Sequence, residues 1–316
     1  MNTRSRSTAA GAYGALAEHV SATVIGRYST SFSLATRLLP AGVRDDIRNL
    51  YAVVRIADEI VDGAAGVAGA AGGTEGTERT DVRGVLDDYE DRVLAAPGRG
   101  FHTDLVLHAW ACTARRCGID PEHMRAFFSS MRSDLEQVVH DRDSLARYIH
   151  GSAEVIGLMC LDIFLAHAGP VSGRQRAWLE DGAAALGASF QKVNFLRDLA
   201  DDRDVLGRLY LPELQDGPLT VAVRDRILDE VDAGIAEGRL RIPALPSGCR
   251  AGVASAAALY AELSARLRRS TPEQIVGTRV RVPAPVKASL TARALAGSVA
   301  GSVAGSVAGS VTGARR

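Results

Sequence analysis

Apolar residues recur along this chain at three- and four-residue spacing, inside segments rich in Ala, Leu, Arg and Glu. That period predicts helix over most of the length. The prolines fall between those segments: Pro40, Pro97, Pro121, Pro170, Pro212, Pro218, Pro243 and Pro246 mark boundaries. Asp120-Pro121 predicts a helix start, with Asp as N-cap and Pro in the first helical position, and Gly118 ends the helix before it. From there Met124, Phe127, Phe128, Met131 and Leu135 predict one buried face. Arg279 to Val282 alternates with period two, but Pro283 stops it short of a strand. Asp62-Gly63 and Asp216-Gly217 lack β-branched residues on both sides and read as helix ends, not hairpins. The expected fold class is all-α.

Low-complexity stretches set the expected domain limits. Gly63 to Thr80 (GAAGVAGAAGGTEGTERT) has no large apolar residue beyond Val67, which predicts a mobile loop within one domain. Residues 1–11 are expected to be disordered and residues 12–295 to form the domain. The segment 296–316 is a tail of GSVA repeats. Ala294 to Ala314 carries no charge and is long enough to span a bilayer. A glycine at every fourth position costs a helix about 1 kcal/mol each, however, and beyond Leu295 the window has no Leu, Ile or Phe. The tail is therefore expected to be disordered.

Composition narrows the function classes. The chain has 316 residues, of which 47% are hydrophobic and 23% charged, with 37 basic side chains balancing 37 acidic ones. A zero net charge argues against nucleic-acid binding, which needs a basic excess. Cys112, Cys117, Cys160 and Cys249 show no CxxC pair or His ligand spacing, so reduced thiols are expected rather than a disulfide framework or zinc site. The N-terminus carries two arginines but no apolar core of a secretory signal. No Walker A, GxGxxG, HExxH or GxSxG pattern occurs in a suitable context. His140, His150 and His167 are scattered and read as structural.

Two acidic segments carry the candidate chemistry. In Tyr51-Ala-Val-Val-Arg55-Ile-Ala-Asp58-Glu-Ile-Val-Asp62, helical spacing stacks Asp58 and Asp62 on one face with Arg55 one turn earlier. Like charges at that spacing repel, and a hard divalent cation such as Mg²⁺ offsets the repulsion. An ordinary solvated face would show the same pattern. In Gln191-Lys-Val-Asn194-Phe-Leu-Arg197-Asp198-Leu-Ala-Asp201-Asp202, polar residues three and four apart draw a stripe along one helix. Val193, Leu196 and Leu199 lie off it, and the apolar run Ala183–Phe190 precedes it. Buried carboxylates are costly unless paired or coordinated, so two such segments predict a metal-filled cavity between helices. Arg37, Arg55, Arg197 and Arg208 could grip phosphate oxygens. Tyr28, Tyr51, Tyr148 and Tyr210 are either core residues or π faces for a cation.

In this order the segments resemble the squalene/phytoene synthase family of head-to-head prenyl transferases. The matching stretches are YSTSFSLATRLLP (28–40), YAVVRIADEIVD (51–62), YIHGSAEVIG (148–157), QKVNFLRDLADD (191–202), GRLYLP (207–212) and the closing RVRVPAPVKASLTARAL (279–295). The resemblance implies a single-domain isoprenoid-synthase helical bundle around a deep apolar cavity. It implies that Asp58, Asp62, Asn194, Asp198 and Asp202 hold Mg²⁺, with Mn²⁺ as a substitute. Tyr51, Arg55, Tyr148, Arg197 and Tyr210 would be catalytic, and Ser29, Ser31, Arg37, Gln191 and Arg208 would bind substrate. Thr30 departs from the family, where many relatives carry a basic residue that touches diphosphate. Glu154 departs where many have Gly.

The activity so implied joins two geranylgeranyl diphosphates through a cyclopropyl (prephytoene) diphosphate to phytoene, releasing two pyrophosphates, in carotenoid biosynthesis. NADPH is not expected unless the product is squalene. The alternatives are a squalene or presqualene diphosphate synthase using farnesyl diphosphate, and a non-catalytic lipid-binding relative. The expected partners are prenyl diphosphates and no nucleic acid, with peripheral membrane contact and a downstream carotenoid desaturase beyond them. The expected location is cytoplasmic, at the inner face of the membrane.

Overall fold

Side-chain caps start many of the helices. Ser29, Asp81, Asp104, Asp120, Asp141, Ser172 and Thr220 each accept a hydrogen bond from a backbone N–H two or three residues ahead. Thr271 forms a reciprocal capping box with Gln274. The computed structural model describes residues 3–63, 81–137, 139–204, 206–215 and 217–312; the side chains of residues 3–8, 31, 204 and 299–312 fall outside that description. The expected mobile loop 63–80 lies outside it as well, apart from Gly63, as does Asp216.

In chain order the helices begin with α1 (Thr3–Tyr28), α2 (Thr30–Thr36), α3 (Ala41–Val61), α4 (Val82–Ala95) and α5 (Leu105–Cys117). The middle of the chain forms α6 (Pro121–Glu136), α7 (Arg142–Ile149), a π-helical turn (His150–Glu154) and α8 (Val155–Ala166). The rest forms α9 (Gly173–Arg197), α10 (Leu199–Asp204), α11 (Val221–Arg241), α12 (Ser247–Arg269), α13 (Pro272–Gly277) and α14 (Ala284–Thr312). Among the described residues no strand forms, and the single β-bridge joins Val139 to Leu209. The fold is all-α.

The predicted start at Asp120-Pro121 is present, and Gly118 ends α5 in the left-handed region at φ 63°, where a side chain would be strained. Met124, Phe127, Phe128 and Met131 are buried on α6, and Leu135 packs against the same core. The four cysteines are free thiols.

Two apolar cores form. One gathers α3, α4, α5, α6 and α8 around Ile47, Leu86, Trp110, Phe128 and Met159; the other gathers α9, α11 and α12 around Val193, Leu196, Leu228 and Leu267. The run Arg142–Ala166 is long and apolar enough to cross a bilayer, but 56% of its apolar window is buried inside the bundle, as a core helix would be. Glycines let α8 and the π turn press on α9: a Cβ on Gly157 would strike the Ala183 carbonyl, and one on Gly187 the Ala153 carbonyl. Between the two cores runs a cavity, lined by α2, α3, the π turn, α8, α9, α11 and α12.

Both chain ends differ from expectation. Helix α1 begins at Thr3, where residues 1–11 were expected to be disordered, and α14 continues through the GSVA repeats to Thr312. Helix nucleation is the costly step, and each end extends a helix that tertiary contacts already hold. In α1 the Tyr13 hydroxyl donates to the His102 carbonyl at 2.8 Å, and in α14 the buried Thr291 bonds Ser255 at 3.1 Å. Alanine in each repeat offsets part of the glycine cost.

Candidate active site

The first acidic row stands on α3. Val43, Ile47, Leu50, Val53, Ala57 and Ile60 are buried and fix the helix face, which leaves Tyr51, Arg55, Asp58 and Asp62 on the side toward α9 and the Gly207–Tyr210 segment. The Arg55 guanidinium lies 4.2 Å over the Tyr28 ring, 3.8 Å from Asp58, and pairs with Glu59. Asp62 ends the helix, and Arg208 approaches its carboxylate at 2.6 Å. Burial raises the Asp58 carboxyl to about 7; Asp62, Asp134 and Glu59 add to the rise and Arg55 opposes it.

The second row does not lie on one uninterrupted helix. Helix α9 ends at Arg197 with Asp198 as its C-cap (φ −101°, ψ 7°), and α10 begins at Leu199. The i→i−4 hydrogen bonds nevertheless carry through the kink, from Asp198 to Asn194 at 2.8 Å and from Asp202 to Asp198 at 2.9 Å, so the row stays in register. Arg197 grips Asp198 with two nitrogens, and Arg279 Nε reaches the same carboxylate at 2.8 Å. Asp202 is raised to about 7, by burial first and then by the charges of Asp198, Asp62 and Asp134, with Arg208 opposing. The two rows therefore feel each other's charge across the gap. They face one another.

A third group joins them that periodicity alone did not single out. Asp134 on α6 is 7% exposed and accepts from the Tyr148 hydroxyl at 2.8 Å and the Tyr210 hydroxyl at 2.7 Å. Arg208, itself 6% exposed, lies 3.9 Å from Asp134 and so bridges it to Asp62. Burial, with Asp62 adding, lifts Asp134 to about 6, although Arg208 and both tyrosine hydroxyls oppose. Phe195 and His140 stack on the Tyr210 ring at 4.6 and 5.5 Å. Asp134 falls three residues after Met131 and seven after Phe127, on the apolar stripe already recognised in α6. An acid on that stripe was the available signal.

The cavity opens beside these rows and measures about 330 Å³. Ser29, Tyr51, Gln191 and Tyr260 line the end nearest the acidic rows. Burial pushes the Tyr51 hydroxyl up to about 12 against the pull of Arg55. Along α9 the lining runs from Gln191 to Leu179, about 18 Å at 1.5 Å per residue. Tyr148 and Tyr210 sit in the hydrogen-bonded group around Asp134, outside the cavity lining. Arg37 is exposed at the C-terminal end of α2, about 12 Å along the helix from Ser29, and is not brought to the acidic rows. The side chain of Ser31 lies outside the described residues. Glu154 bonds His150 at 2.9 Å and takes no part in the cavity wall.

Lys287 on α14 was missed as well. Its Nζ donates to Thr30 Oγ1 at 2.8 Å, which delivers a cation to the position where Thr30 departs from the family pattern. Burial, Arg197 and Arg281 hold the Lys287 ammonium below its usual value. No spacing rule links residues 257 positions apart.

The donor chemistry suits a hard divalent cation. Asp58, Asp62, Asp198 and Asp202 offer carboxylate oxygen, and the buried Asn194 Oδ1 has no hydrogen-bond partner. The raised carboxyls of Asp58 and Asp202 show negative charge still short of compensation. Among the described residues, the one set of three ligand atoms within 4.8 Å of one another lies elsewhere, at Asp46, Cys117 and His167. That set does not suit a metal. Arg116, Thr113 and His167 already occupy the Asp46 carboxylate, and burial together with Asp46 pushes the Cys117 thiol up to about 12.

A family model described as squalene/phytoene synthase matches residues 25–286. A 15-cis-phytoene synthase of Paracoccus sp. is 29% identical over 78% of this chain and 80% of its own length. A bifunctional lycopene cyclase/phytoene synthase of Blakeslea trispora is 25% identical over 78% of this chain, which spans only 44% of that longer relative. Among solved structures, a dehydrosqualene synthase superposes with a TM-score of 0.73 at 21% identity, covering 90% of this chain and 96% of the other. A squalene synthase of Alicyclobacillus acidocaldarius gives 0.65 at 21% identity, covering 80% and 93%.

Proposed function

Since this chain belongs to the squalene/phytoene synthase family and is a prenyltransferase of that class, we propose that it joins two geranylgeranyl diphosphates head to head into phytoene. The observation that carries the reading is the pair of facing acidic rows set above a deep apolar cavity. The phytoene synthases among its relatives favour the C40 product.

In this reading Asp58, Asp62, Asn194, Asp198 and Asp202 hold Mg²⁺, which when bound supplies positive charge to the diphosphate leaving group. Arg55, Arg197, Arg208 and Lys287 bind the remaining phosphate oxygens; the guanidiniums do so through paired N–H donors. Gln191 and Ser29 orient the head groups at the cavity entrance.

The first C–O bond breaks with its electron pair leaving on pyrophosphate. The double bond of the second substrate attacks the allylic cation, and loss of a proton closes a cyclopropylcarbinyl diphosphate. A second ionisation, rearrangement to join the two C1 carbons and loss of another proton give phytoene and the second pyrophosphate. The apolar wall keeps water from trapping either cation as an alcohol. Asp134 fixes the hydroxyls of Tyr148 and Tyr210, so their rings stay oriented beside the developing charge, and Tyr51 offers a third π face. An oil-soluble product fits a cytoplasmic enzyme working at the inner face of the membrane.

The test is incubation of the purified protein with Mg²⁺ and geranylgeranyl diphosphate, then with farnesyl diphosphate with and without NADPH. We expect a C40 hydrocarbon and two pyrophosphates per product, abolished by chelator and restored by Mg²⁺ or Mn²⁺. A C30 product alone would move the assignment to the shorter substrate. No hydrocarbon and no pyrophosphate would end the enzyme reading.

A further inference from the structure

At the end of the cavity away from the acidic rows the wall is not purely apolar. Arg241, the last residue of α11, is 8% exposed and lines the cavity. Its guanidinium is fixed. Nε donates to the Trp178 carbonyl at 2.6 Å, and one terminal nitrogen reaches the Glu237 carbonyl at 2.9 Å and the Glu237 carboxylate at 2.7 Å. The head also lies 5.1 Å over the Trp178 ring. A cation so anchored cannot swing away at the small cost of an unpaired surface arginine.

Gly182 on α9 lies beneath its stem. A methyl group there would overlap Arg241 Cδ and stand 3.2 Å from both Cβ and Cγ. The missing side chain therefore lets the arginine stem pack directly on α9 where the two helices form the cavity wall. Gly182 is nine residues from Gln191 along the same helix, about 14 Å from the diphosphate end. Leu179 follows one turn further, and Ile242 and Leu245 close the wall beside it.

We propose that Arg241, seated against Gly182, is the length stop of the cavity: the hydrocarbon tail of a prenyl diphosphate ends against its stem, and this contact sets which chain length is accepted. The inference rests on the prenyl diphosphate reading above and adds the residue that selects among such substrates. A side chain that merely tied α9 to α11 would, on removal, lower stability and leave chain-length preference unchanged.

The test is calorimetric binding of unreactive C15, C20 and C25 prenyl thiolodiphosphates, with Mg²⁺, to wild type, Arg241→Ala and Gly182→Ala. Arg241→Ala is expected to improve C25 binding relative to C20 by at least tenfold. Gly182→Ala, which pushes the stem into the cavity, is expected to weaken C20 relative to C15 by at least fivefold. Helical circular dichroism reports folding, and should Arg241→Ala not fold, Gly182→Ala decides alone. Ratios within twofold of wild type in a folded variant overturn the length stop. Variants that show the expected shifts while wild type makes no hydrocarbon from the C20 diphosphate overturn only the catalytic reading.

Discussion

Single carboxylates in this protein act through what surrounds them. Asp202 is raised from 3.8 to about 7, so holding it in the fold without a cation is destabilising in full at pH 8; the penalty shrinks as the pH falls through 7 and disappears only below the ordinary carboxylate value. Asp202→Asn is expected to raise the apoprotein Tm at pH 8 by roughly 2–4 °C, with a smaller gain at pH 5, while turnover with Mg²⁺ falls about 10²-fold or more. Thermal scans at the two pH values beside a pyrophosphate-release assay check both halves. Asp134→Asn tests the third group: kcat should fall at least about tenfold with KM nearly unchanged, because the amide keeps one oxygen and can accept from only one of the two tyrosines, while the diphosphate contacts stay. A rise in KM without loss of kcat would place Asp134 in substrate binding instead. Residue types and spacing made Asp58, Asp62, Asn194 and Asp202 legible in advance. Asp134 was visible only as an acid on an apolar stripe, and nothing in a one-dimensional pattern says that two distant tyrosines will meet it.

Among the elements, the helix ends are where local chemistry and packing compete. The Asp46 carboxylate near the start of α3 ties that helix to α5 and α8 through Arg116, Thr113 and His167. Burial alone would raise it, but those three hydrogen bonds outweigh burial and hold it below the usual carboxylate range. Its stabilising contribution is thus complete above the ordinary carboxylate pKa and is lost as the pH falls through the depressed value. Asp46→Asn should cost about 2 kcal/mol at pH 7 and flatten the acid limb of a Tm-against-pH curve. At the other end of the chain, truncation after Gly297 should leave activity and Tm unchanged, whereas truncation after Pro283 removes Lys287 and Thr291 and should abolish turnover. The cap at Asp120-Pro121 announced one of these boundaries, and the other side-chain caps emerged with the structure. The GSVA repeats misled because propensity counts glycines one by one, while a helix already held by Thr291 needs no new nucleus.

For the molecule as a whole, the acidic rows are a store of unbalanced charge that ligand binding relieves. Mg²⁺ with pyrophosphate at about a hundred times its dissociation constant should stabilise the fold by roughly 2.7 kcal/mol, read as a rise in Tm that chelator reverses. Pyrophosphate alone should give little. The all-helical architecture, the helix start at Asp120-Pro121 and the two acidic segments follow from the sequence, because caps, prolines and the 3.6-residue period act over a few neighbouring residues. The face-to-face setting of those segments, the kink at Asp198, the gathering of Tyr148, Tyr210, Asp134 and Arg208, the lysine beside Thr30 and the arginine that closes the cavity belong to the tertiary structure alone. They join residues tens to hundreds of positions apart, and only the packing of one apolar core against the other fixes how near such residues come.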